Sequence, residues 1–159
     1  MNVLENKLGK LKPGYLLQFE GFIELHSQKG GGSEGDKYIQ AKSFSNVYEL
    51  YIYSFFVGLY KNERYDLADD DKLSRFWEIE NWRPSELVES LLACAIAESN
   101  FDMIAIEDGD DEFISEQVKL VKREIETYAN GGLKYIKSEF DNDPELIDDD
   151  TYFLKLLST

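Results

Sequence analysis

From Ile114 onward the apolar residues Ile114, Val118, Val121, Ile125 and Tyr128 recur at intervals of three and four. That spacing places side chains along one stripe of an α-helix, and it is the clearest periodicity in the chain. Asn130-Gly131-Gly132 is expected to break or bend this helix before Leu133, Ile136 and Phe140 resume an apolar face. A second helix is predicted after Phe44 and Ser45, with the Ser45 hydroxyl capping the free backbone N–H groups. Apolar residues from Val47 to Tyr60 occupy every face of it, which marks a central core helix, and Gly58 within it reads as a close-packing point. Pro84 suits the first turn of a third helix, whose stripe is Leu87, Leu91, Cys94 and Ala95 and which ends near Asn100.

The remaining segments are less periodic. Tyr15 to His26 mixes apolar residues with Glu20, Gly21 and Glu24, and its periodicity does not separate strand from helix. Residues 29–36, Lys-Gly-Gly-Gly-Ser-Glu-Gly-Asp, predict a flexible loop. Lys61 to Trp82 reads as a loop with a short helix, and Tyr152, Phe153, Leu154, Leu156 and Leu157 form an apolar C-terminal segment. The whole predicts one mainly α domain over residues 1–159, a helical bundle of about five or six helices with room for a short N-terminal β-hairpin. No internal repeat is present.

Charge changes the picture more than any motif. The chain holds 32 acidic and 17 basic side chains, a formal net charge of −15, with the acids gathered into runs at Asp66 and Asp69-Asp70-Asp71, at Glu107 to Glu112, and at Asp141 to Asp150. With 43% apolar content, 10 Phe, 10 Tyr and 2 Trp, the acidity decorates a folded body and does not prevent one. Such a surface repels nucleic-acid phosphates and anionic membranes. Basic protein surfaces are its natural partners, reached faster at low salt; the plain alternative is that the charge only keeps the protein soluble. The longest apolar stretch, Val47 to Tyr60, falls short of the ~20 residues of a membrane span. Met1 to Lys12 lacks the apolar core of a secretory signal, so a cytoplasmic setting is expected.

Motifs for chemistry fail on inspection. Gly30, Gly35 and Lys37 approach a phosphate-binding loop, but Asp36 would repel phosphate and no Gly-Lys-Ser/Thr follows. Asp108, Asp110 and Glu112 fit the first ligand positions of an EF-hand loop, yet Phe113 and Lys119 stand where Gly and Glu are required; Asp141, Asp143 and Glu145 fail likewise at Leu146 and Tyr152. Cys94 is the sole cysteine, expected to be an inert core thiol, which rules out an intramolecular disulfide or a Cys cluster. His26, the sole histidine, borders the Gly-rich loop and reads as a solvated side chain. Tyr48, Tyr51, Tyr53, Tyr60 and Tyr65 with Phe55 and Phe56 are core residues first, with some available for an interface. No catalytic, cofactor or metal residue is assigned.

One arrangement is shared with a known group. Phe44-Ser45-Asn46-Val47-Tyr48-Glu49-Leu50, the segment Gly58-Leu59-Tyr60-Lys61-Asn62-Glu63-Arg64, and Tyr128-Ala129-Asn130-Gly131-Gly132-Leu133 resemble the small accessory proteins encoded beside the Dnd system of bacterial DNA phosphorothioation and phage restriction. The resemblance covers roughly residues 44–140 and implies an antiphage-defence accessory subunit without an active site. The leading expectation is therefore a non-enzymatic binding protein docking on a larger, basic, nucleic-acid-handling partner, itself not touching nucleic acid or membrane. Asp69, Asp70, Asp71, Asp108, Asp110, Asp111, Glu112, Asp148, Asp149 and Asp150 would supply steering and rim, and Phe76, Trp77 and Trp82 exposed aromatic anchors. Two alternatives are a phage-type inhibitor whose carboxylates imitate DNA phosphates and a metal-dependent enzyme using clustered carboxylates.

Overall fold

The computed structural model describes residues 3–27, 44–149 and 151–156; the Gly-rich loop, Asp150 and Leu157 lie outside them. The fold is mainly α with one short antiparallel strand pair. In chain order the described elements are α1 (Val3–Gly9), β1 (Gly14–Leu16), α2 (Glu20–His26), α3 (Val47–Lys61), β2 (Leu73–Arg75), α4 (Ser85–Glu98), α5 (Met103–Ile106), α6 (Asp111–Asn142) and α7 (Tyr152–Leu156), with 3₁₀ turns at Leu17–Phe19, Ile79–Asn81 and Pro144–Asp148. Tyr15 to His26 thus resolves into a strand, a 3₁₀ turn and a helix in succession, which is why no single period runs through it. The partner of β1 is β2, so the expected loop with a short helix over 61–82 contains a strand and a 3₁₀ turn.

The chain divides into two compact units, and α6 contributes to both. The first comprises described residues 3–14 and 75–126. Leu8, Ile79, Trp82, Val88, Leu91, Ala95, Ile114, Val118, Val121 and Ile125 are its buried apolar residues. On α4 the buried positions are Val88, Leu91 and Ala95, while Leu87 is exposed and Cys94 half-buried. The inward face is therefore rotated by one residue from the stripe expected through Leu87 and Cys94, and Cys94 is not a fully buried thiol. One carboxylate closes this unit: Glu126, 2% exposed, accepts at Oε2 from the Gly14 N–H at 3.0 Å and from Arg75 Nη1 at 2.8 Å. Arg75 Nη1 also donates to the Lys12 carbonyl at 2.6 Å. A charge this deep is tolerable only because it is paired and hydrogen-bonded.

The second unit comprises residues 15–74 and 127–156 of the described chain. Its central element is α3, where Val47, Tyr48, Leu50, Tyr51, Ile52, Phe55 and Val57 are all buried, on every side of the helix. Asn46, not Ser45, holds the N-cap position; it has no side-chain cap bond, and its amide Nδ2 donates to Glu49 Oε1 and the Tyr48 hydroxyl. The helix ends at Asn62, which takes the left-handed conformation (φ 55°) that Asn tolerates better than most residues, with the Glu63 N–H donating to the Gly58 carbonyl at 2.8 Å.

Asn130-Gly131-Gly132 does not break α6, which is continuous over 32 residues. Its glycines serve close approach. A Cβ on Gly132 would overlap the Ser54 carbonyl of α3, one on Gly131 the Glu63 carbonyl, and one on Gly58 the Tyr128 carbonyl of α6. The two helix backbones meet here with no side chain between them, as expected for Gly58. Asn130, fully buried, turns its Oδ1 to accept the Leu16 N–H of β1 at 2.8 Å. No described helix is long and apolar enough to cross a membrane.

Candidate docking surface

The acidic segment before α6 is built by capping. Asp102 Oδ1 accepts the Ala105 N–H at 3.0 Å and so starts α5, while the Asp102 N–H donates to Gln117 Oε1 at 2.8 Å. Eight residues on, Asp110 Oδ1 accepts the Phe113 N–H at 2.8 Å and starts α6. Each such cap stabilises its helix by about 0.5–2 kcal/mol, and Asp111 and Glu112 in the first turn of α6 face the positive end of its dipole, where acids were expected. Between the caps, Glu107 and Asp108 are exposed, as are Asp110, Asp111 and Glu112. Among the described residues no Lys or Arg forms an ion pair with any of these five carboxylates. The same segment carries Met103, exposed, and Ile104, 88% exposed. Sequence reasoning missed this apolar pair, because a four-residue helix is too short for periodicity to show its outer face.

Asp69 and Asp70 are exposed and Asp71 half-buried, its Oδ2 accepting the Ala68 N–H at 2.7 Å. Asp148 is exposed. Asp149 accepts at Oδ1 from the Thr151 hydroxyl at 2.7 Å and the Thr151 N–H at 2.9 Å, which hold its carboxyl below the usual range, and its other oxygen lies 3.8 Å from Lys155. The three expected aromatic anchors divide. Trp77 is 44% exposed, whereas Trp82 is 1% exposed, stacked on half-buried Phe76 at 5.4 Å with Nε1 donating to the Trp77 carbonyl at 3.0 Å. Trp82 is therefore a core residue of the first unit, and its expected exposure is overturned: an indole this large, with a carbonyl available to its N–H, is buried as a unit.

Other candidate chemistry also finds its place. His26 is 5% exposed, with the rings of Phe22, Phe140 and Phe153 at 4.5, 4.8 and 5.8 Å; the expectation of a solvated side chain fails because the α2 turn carries it inward beside Phe22. Of the tyrosines on α3, Tyr48 and Tyr51 are buried and Tyr60 is exposed. A surface depression of about 270 Å³ in the second unit is lined by Gln18, Phe19, Lys134, Lys137, Ser138 and Asp141, with Lys137 bonded to Asp141 at 2.8 Å. Among the described residues no group of three or more His, Cys, Asp or Glu is placed to hold a metal ion. Comparison with known proteins gives no matching family model, no similar curated protein and no similar solved structure.

Proposed function

We propose that this chain is a non-enzymatic, cytoplasmic binding subunit that docks through its acidic segments on a larger, basic, nucleic-acid-handling protein of a bacterial antiphage-defence complex. The observation that supports it most is the Asp102–Glu112 segment. Five exposed carboxylates without an ion pair among the described residues stand on a backbone held by the Asp102 and Asp110 caps, beside exposed Met103 and Ile104. Fixed charge of one sign steers a basic partner at long range, and an adjacent apolar pair supplies contact area that charge alone lacks. The resemblance of residues 44–140 to Dnd accessory proteins supports the defence setting.

The test is association kinetics against the captured partner. Replacing Asp69 to Asp71, Glu107 to Glu112 and Asp148 to Asp150 with Asn and Gln is expected to lower the on-rate by on the order of tenfold or more at low salt, with the difference shrinking as salt rises. Unchanged on-rates at low salt would refute electrostatic docking. Adding duplex DNA separates the competing reading: an accessory subunit stays bound with DNA in the same complex, whereas a DNA mimic is displaced.

A further inference from the structure

We infer that residues 151–156 form a strap, an element that opens separately from the rest of the second unit and covers an aromatic groove already formed beneath it. The helix α7 has five residues, far fewer than an isolated helix needs to persist in water, so its docking is what keeps it folded. That docking centres on Phe153. Its ring lies 4.9 Å from Phe44, 5.5 Å from Tyr53, 5.8 Å from His26 and 5.9 Å from Phe140, and its carbonyl accepts the Tyr53 hydroxyl at 2.6 Å. Tyr152 and Leu156 are buried beside it, while Leu154 points out. The groove residues stand on other elements and hold one another without the strap: Phe22 meets His26 at 4.5 Å and Phe140 at 5.7 Å, and His26 meets Phe140 at 4.8 Å.

The connection to α6 favours separate opening. The 3₁₀ turn Pro144–Asp148 buries no residue, so releasing the strap removes no core side chain on the way and does not unzip α6. The backbone bonds at the start of the strap are local, from the Tyr152 N–H to the Asp149 carbonyl and from the Lys155 N–H to the Thr151 carbonyl. Asp143, Glu145, Asp148 and Asp149 crowd the joint with like charge, which favours extension.

Hydrogen exchange followed by mass spectrometry on the full chain tests this. In the wild type, amides of 152–156 should exchange at least about a hundredfold faster than those of 125–136, the difference between a local and a global opening. Phe153→Ala should speed exchange of 152–156 on the order of tenfold further and leave 125–136 unchanged, while Leu154→Ala, altering an outward side chain, should change neither. Equal protection of the two segments in the wild type would overturn the strap, as would a Phe153→Ala variant that lowers both together. Should that variant fail to fold, the wild-type comparison decides alone.

Discussion

Single residues carry contrasts that can be measured. Gly131 and Gly21 are both helical glycines, yet a Cβ at Gly131 would strike the backbone carbonyl of Glu63 and one at Gly21 would meet nothing within 4 Å. Gly131→Ala is therefore expected to lower stability by about 1–3 kcal/mol through overpacking against atoms that cannot move aside, while Gly21→Ala should raise it by about 0.5–1 kcal/mol; denaturant unfolding of both variants checks the pair. Two phenols offer a test by pH. Burial pushes the Tyr53 hydroxyl far above its ordinary value of 10.0, and burial together with the charge and hydrogen bond of Glu139 does the same for Tyr152. Their raised native values mean that the folded state keeps protons which the unfolded chain releases, so the stability they confer is whole below about pH 10 and declines as pH rises above it. Ultraviolet titration of the native protein should show these two tyrosines ionising only as the aromatic groove opens; ionisation of all ten near pH 10 in a still-folded protein would contradict their burial.

At the scale of elements, the long apolar stripe of α6 was legible, and it contained more than the glycine pair suggested. Ile114, Val118, Val121, Ile125, Tyr128, Gly132, Ile136 and Phe140 keep steps of three and four without a phase change. That unbroken register is the sequence signal of a continuous helix, and it outweighs the ordinary reading of Asn-Gly-Gly as a terminator. Gly132 instead marks where α3 crosses, at Ser54, 78 positions away, and Gly131 meets Glu63 just past the end of α3, 68 positions away, so neither contact leaves a local trace. The apolar character of α3 was equally readable, since all-round hydrophobicity has only one stable placement. The strand pair β1 and β2 was harder to read, because each strand has three residues and period two needs longer runs to show. Glu126 was indistinguishable from 31 other acids: its burial depends on Gly14 and Arg75, far away in sequence. Trp82 and His26 were misplaced for a related reason, since composition around them is polar while the turns that hold them face inward.

For the molecule as a whole, charge is the property that sequence and structure express together. The acidic runs at 69–71 and 107–112 and Asp148 stand on loops, turns and a helix start, and among the described residues Glu126 is the one buried carboxylate. Candidate anchors, by contrast, had to be re-sorted: Trp77, Met103 and Ile104 are exposed and Trp82 is not. The most direct test is a parallel affinity capture from the native host with two baits, the wild-type chain and the chain whose three acidic runs are replaced by Asn and Gln, each washed at low and at high salt and the bound proteins quantified. The expected result is a basic, nucleic-acid-handling protein retained by the wild type at low salt, released at high salt, and captured at least about tenfold less by the neutralised chain. Equal capture of the same partner by both baits, unaffected by salt, would contradict acidic docking.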